Sequence, residues 1–171
     1  SNILDYIVWR GDLSFEESAF NEIDALILCQ ISYLNFDGLL ADGDFSKKVT
    51  LSELAGLFKK SADFEKRCDT GLLINRPTVK LMFDAAASRR FGGVGVTGYV
   101  SIIDLKNEEQ FSAVTYLPQE KMNFIAYRGT DDTIVGWKED FNLAILDEVP
   151  AQKDAVKYLD KAMSVLKGSF V

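Results

Sequence analysis

Histidine is absent from all 171 residues, and no Gly-x-Ser-x-Gly occurs among them. A Ser-His-Asp relay therefore cannot be assembled from these residues, and a zinc set that needs imidazole cannot be completed. Cysteine is scarce. Cys29 sits in an apolar helical stretch and Cys68 lies between Arg67 and Asp69, so there is no Cys-x-x-Cys and both are expected as free thiols. No metal and no cofactor is implied.

Clustered positive charge is missing as well. A net charge of −7 and a pI near 4.7 argue against a nucleic-acid partner, because phosphate binding relies on grouped Lys and Arg to release counterions. Lys47-Lys48, Lys59-Lys60 and Arg89-Arg90 occur as isolated pairs that read as solvated helix faces or loops. No apolar run approaches the length of a membrane span, so stable membrane insertion is not expected. The first ten residues are apolar but interrupted by Asp5 and Arg10, with no basic leading region and no small-residue cleavage site. A cytoplasmic protein is the expectation.

What is present fits one domain spanning 1–171, with 47% hydrophobic, 12% aromatic and 26% charged residues. Twelve phenylalanines predict an aromatic core. Ser14-Phe-Glu-Glu17 is a capping box, and Phe20, Ile23, Leu26, Ile27, Ile31 and Leu34 follow at helical spacing, predicting a helix from Ser14 to about Leu34. Thr50-Leu-Ser-Glu53 repeats the signal and opens a short helix with Leu51, Leu54, Leu57 and Phe58 inward, ending near Lys60. Arg76-Pro77 starts another, with Val79, Met82, Phe83 and Ala86 as its buried stripe, stopped by Gly92-Gly93.

From Val94 the period shortens to two. Val96, Gly98, Val100 and Ile102 alternate with Thr97, Tyr99, Ser101 and Ile103, a turn follows at 106–109, and Phe111–Leu117 reads as a second strand. After a turn at 118–121, Met122 to Tyr127 is continuously apolar and reads as a central strand, completing an antiparallel meander. A loop with a short helix is expected over 133–144. Ala151 to Leu166 forms an amphipathic helix with Ala155, Tyr158, Leu159, Ala162 and Val165 toward the sheet; Gly168 ends it, and Ser169-Phe170-Val171 looks like the opening of a further strand. The organisation is thus a helical section (1–93) followed by strands, a turn and a helix (94–171).

The segment from Asn123 to Asp140 joins that apolar strand to Arg128-Gly129-Thr130 and then to Trp137-x-x-Asp140. It resembles the oxyanion-hole strand of class 3 lipases, a branch of the α/β-hydrolases. The Trp9–Ser14 entry is similar to an uncharacterised bacterial lipase-like family. The resemblance implies an α/β fold comprising the N-terminal half of a hydrolase: a helical section, a mostly antiparallel meander and the beginning of a parallel sheet. It also implies that Thr130 supplies an N–H and a hydroxyl to a tetrahedral oxyanion and that Asp140 fixes that hydroxyl, with Gly129 and Trp137 beside the substrate. Asp131 and Asp132 depart from the pattern and are expected to point to solvent or to cap the next helix. The substrate implied is a small acyl ester or a lipid-like molecule.

In this family the nucleophile elbow follows a helix such as 151–166, so the expectation is a truncated or cleaved chain, inactive alone, whose nucleophile, acid and histidine lie further on. The reading from another class is a non-catalytic interaction or dimerisation module, and an unfinished sheet edge at Ser169–Val171 predicts self-association. Read as an isolated string, Arg-Gly-Thr-Asp-Asp-Thr is an ordinary turn. Ala41-Asp-Gly-Asp44 is a turn rather than a calcium loop, Gly92-Gly-Val-Gly95 is a helix-to-strand connector rather than a dinucleotide loop, and Asp140, Asp147 and Glu148 read as surface carboxylates rather than a glycosidase pair.

Overall fold

The computed structural model describes residues 3–68, 75–104, 109–128 and 150–171. Among them the chain order is α1 (Ile3–Arg10), α2 (Glu22–Ile31), β1 (Lys48–Thr50), α3 (Leu51–Lys60), α4 (Phe64–Cys68), α5 (Asn75–Ala87), β2 (Gly95–Asp104), β3 (Glu109–Gln119), β4 (Met122–Arg128), α6 (Pro150–Val165) and β5 (Ser169–Phe170). The strands form one sheet in the order β1-β2-β3-β4-β5. Neighbours are antiparallel from β1 to β4, and β5 joins β4 in parallel. Helices and mostly antiparallel strands therefore share one mixed fold, with a single parallel step where α6 carries the chain back from β4 to β5.

Both faces of this sheet are covered. On one, Val96, Tyr99, Val114, Tyr116, Phe124 and Ala126 pack against side chains of α2, α3 and α5. On the other, Val100, Phe111, Ala113 and Ile125 meet Tyr158 and Ala162 of α6 together with Phe45. This explains why β4 reads as apolar sequence broken only by Asn123 up to Tyr127: its successive side chains enter opposite cores. It lies inside the sheet, beside the middle strand β3.

The even alternation read along β2 is broken. Its pairing with β3 shifts register between Thr97 and Val100, and Gly98 sits there at φ +64°, with the Phe45 ring where a side chain would be. The extra residue reverses the phase, so Val96 and Tyr99 share the helical face while Val100 turns to α6. Glycine is needed at this bulge for both conformation and space. The expected turn at 106–109 falls largely on 105–108, outside the described residues; Glu109 already belongs to β3.

The helix expected from Ser14 begins instead at Glu22. The Ser14–Glu17 box does form, with the Glu17 carboxylate accepting the Ser14 N–H at 2.8 Å and the Ser14 hydroxyl accepting the Glu17 N–H at 3.3 Å, but it closes a turn. Asn21 is the true N-cap, in a second box with Asp24. The later start fixes a different register, so Asp24, Ile27, Leu28 and Ile31 are buried while Ile23 and Leu26 are exposed. Thr50 and Glu53 cap α3 as expected, with Leu51, Leu54 and Phe58 inside and Leu57 outside. On α6, Tyr158 and Ala162 are buried, but Val165 lies at the exposed end. The three residues of β1 carry no pattern that distinguishes them from a loop.

Arg90 is not a solvated surface cation. Its side chain and that of Asp24 have no solvent exposure, and the guanidinium donates Nε to Asp24 Oδ1 at 2.7 Å and Nη2 to Asp24 Oδ2 at 2.5 Å. The remaining N–H groups go to the carbonyls of Leu13, Ser14, Ser18 and Ala19. The Phe15 ring lies 4.3 Å from the guanidinium carbon. Asp24 is equally saturated, accepting also from Tyr6 and from the Asn21 N–H.

Removing one partner of a buried, hydrogen-bonded pair costs about 3–5 kcal/mol. Arg90→Met should destabilise by that order, and by more than Asp24→Asn, because it removes the donor to the Leu13, Ser18 and Ala19 carbonyls as well as to the carboxylate. Urea denaturation followed by circular dichroism reads the difference; equal midpoints for Arg90→Met and the unaltered chain would refute it.

Candidate functional site

The residues singled out for oxyanion chemistry, Gly129, Thr130, Trp137 and Asp140, lie outside the described residues. So do Asp131, Asp132, the loop with a short helix expected over 133–144, Asp147 and Glu148. The structure describes what leads into that segment and what leaves it. β4 is the approach. It ends at Arg128, paired with Ser112 of β3, so residue 129 follows directly from the carboxyl end of an inner strand. The exit is α6, beginning at Pro150.

The approach strand is held from three sides. Along β3 the register runs from Ser112↔Arg128 to Tyr116↔Phe124. Toward α6, the Tyr127 hydroxyl donates to the Ala155 carbonyl at 2.9 Å, and its ring meets those of Phe111 and Tyr158 at centroid distances of 6.1 and 5.9 Å. Tyr158 in turn shares a 2.8 Å hydrogen bond with Thr115 and packs edge-on against Phe45. Lys161 donates to the Gly43 carbonyl at 2.6 Å, tying α6 to the loop that carries Phe45.

On the third side, β5 pairs in parallel, Met122↔Ser169 and Asn123↔Phe170. Asn123 is buried and its amide donates to the carbonyls of Lys167 and Ser169 at 3.2 and 3.1 Å. Gly168, at φ +115°, lies with its α-carbon against the Lys121 backbone, where a side chain would collide. The Ser169–Phe170 strand read from the sequence is thus formed and locked.

Among the described residues no group of three His, Cys, Asp or Glu could hold a metal ion. In the Ala41–Asp44 loop, Asp44 Oδ1 accepts the Ser46 N–H at 2.8 Å and the Ser46 hydroxyl at 2.6 Å, closing a turn. Cys29 and Cys68 are free thiols. Gly92–Gly95 connects α5 to β2, as expected. No helix of the described residues is long and apolar enough to cross a membrane. The buried Arg90–Asp24 pair, invisible in the sequence, anchors the helical layer.

Compared with known proteins, the chain matches one family model, described as Mbeg1-like, over residues 85–171. That match covers about half of the chain, including α6 and every strand except β1. No curated protein and no solved structure matches it.

The tyrosines set a pH limit on the fold. Burial, reinforced by Asp37, pushes the Tyr99 phenol up to about 12, and burial pushes Tyr116 and Tyr158 up further. In the unfolded chain these phenols ionise near pH 10. Their contribution is therefore intact below about pH 10 and is lost as the pH rises through the folded values. Stability should fall steeply above about pH 10, with phenolate absorbance from these side chains appearing together with loss of structure. Smooth ionisation of all six tyrosines near pH 10 with the fold intact would refute this.

Proposed function

The chain belongs to the Mbeg1-like family, and within it we propose that this chain carries the oxyanion-stabilising turn of a lipase- or esterase-like serine hydrolase of the α/β-hydrolase type. The observation that carries the reading is the strand β4. It ends at Arg128, immediately before Gly129-Thr130, and the chain returns through α6 to a parallel partner. A turn at that point would stand at the carboxyl end of β4, rigid on its approach side. Such rigidity matters because an oxyanion donor is worth about 2.7–4 kcal/mol only when its N–H is held where charge develops.

In this reading Thr130 donates its N–H and hydroxyl, Asp140 fixes the hydroxyl, and Gly129 and Trp137 border an acyl ester or lipid-like substrate. No nucleophile elbow and no histidine occur in the sequence, so the 171 residues alone are inactive.

The chain should not hydrolyse short p-nitrophenyl esters above a buffer blank; turnover that co-purifies with it and is abolished by a serine-directed inhibitor would overturn the assignment. In a protein that joins this segment to a nucleophile and a histidine, Thr130→Val should lower kcat roughly 10- to 1,000-fold with little change in KM. Asp140→Asn should lose less, and Asp131→Asn should leave kcat nearly unchanged. A silent Thr130→Val beside a crippling Asp131→Asn would show the register to be wrong.

One observation favours the second reading, an interaction or dimerisation module. The N–H groups of Ser169 and Val171 donate to Lys121 of the β3–β4 turn and Asn123 of β4, which leaves the intervening Phe170 backbone facing the outer edge, with no strand beyond it among the described residues. Pairing there with a second copy would give a dimer at micromolar concentration. A monodisperse monomer by light scattering at high concentration would count against it.

A further inference from the structure

At the amino-terminal end of β4, opposite Arg128, lies a cavity of about 530 Å³ between β1, the start of α3, the β3–β4 turn and the α6–β5 connection. Three lysines from three separate segments line it: Lys48 of β1, Lys121 of the turn and Lys167 ahead of β5. None of the three has an ion-pair partner among the described residues. In a chain of net charge −7, this gathers three cations around one cavity.

Two further observations point the same way. Lys121 is the one non-glycine residue at positive φ among the described residues, at +62°. Glycine or asparagine relieves that conformation, so a lysine there carries a conformational cost that the turn itself does not require. The segments bearing Lys121 and Lys167 are also stitched together: Ser169 N–H donates to the Lys121 carbonyl at 2.8 Å, and Asn123 holds the Lys167 carbonyl. The two cationic side chains leave a common rigid base.

The lining also defines the ligand. Glu53 and Glu120 share the cavity, and Glu53 is committed to the Thr50 N–H at 2.7 Å. Three lysines against two glutamates leave one net positive charge, which a monoanion neutralises and a dianion exceeds. Leu117 and Leu166 supply an apolar wall. We propose that this cavity binds a small apolar monocarboxylate, its carboxylate held by Lys48, Lys121 and Lys167 and its hydrocarbon portion against Leu117 and Leu166. The proposal does not rest on the oxyanion-turn reading, whose residues lie at the other end of β4.

The test is titration calorimetry of the whole chain with octanoate, and with octanamide, acetate and inorganic phosphate as comparators. Octanoate should bind saturably at one site, tighter than each of the other three, and weaken as salt is raised. Lys121→Gly should weaken octanoate roughly ten-fold or more, as loss of a charge-assisted contact implies, while the melting temperature stays level or rises because the backbone strain is relieved. Lys167→Gln should weaken binding similarly with the fold intact. Octanamide binding as tightly as octanoate would reduce the site to a greasy patch, and phosphate binding as tightly would make it a general anion site; either overturns the proposal. So would the absence of saturable octanoate binding, or unchanged affinity in Lys121→Gly.

Discussion

A single carboxylate, that of Asp24, organises the helical layer. It closes the capping box that starts α2 and neutralises a guanidinium with no access to water. Arg90 in turn gathers the carbonyls of Leu13, Ser14, Ser18 and Ala19, so a stretch without regular secondary structure is wound around one cation. The consequences spread through the backbone. Arg90 N–H donates to Gly11, Ser52 N–H to Gly92 and Leu51 N–H to Val94, which fixes the starts of α3 and β2 relative to α1 and α2. A buried pair of this kind adds little net stability compared with an apolar replacement, yet it tolerates few other arrangements. Its role here is to define one geometry for the chain between α1 and α2.

That geometry sets the helical layer against one face of a sheet whose other face is closed by α6. β4 contributes to both interfaces, through Phe124 and Ala126 on one side and Ile125 on the other, and is bonded to strands at both edges. A strand so enclosed has little freedom to shift along its axis. The segment that follows Arg128 therefore leaves from a fixed point, and the lysine-lined cavity at the opposite end shares the same rigid support.

Much of this was legible in the sequence, because local signals and tertiary structure agree there. Thr50 and Glu53 cap α3, the β2-β3-β4 antiparallel meander forms in the order read, and Gly168 precedes a real strand. Failures occur where a distant contact overrides a local one. The Ser14 box forms but cannot extend, since Arg90 draws the following carbonyls out of helical pairing and Asn21 takes over the start. Arg90 beside Arg89 looks like a surface pair, for nothing in its neighbours announces a carboxylate 66 residues away. The phase reversal at Gly98 depends on the Phe45 ring, again remote in sequence. Of the candidate site, the strand and the helix were readable; the Thr130 and Asp140 assignment rests on the resemblance carried by the Arg-Gly-Thr and Trp-x-x-Asp motifs.

The crossover through α6 also has a kinetic meaning. β2, β3 and β4 follow one another through short connections, so their pairing closes small loops, whereas β5 finds β4 only after the chain from Arg128 to Ser169 has been traversed and α6 has docked. Closing the larger loop costs more entropy and adds only a two-residue strand, so it has little to gain until the core under Tyr158 exists. The Asn123 clamp would then be among the last contacts to form, closing the sheet once its other strands have already paired.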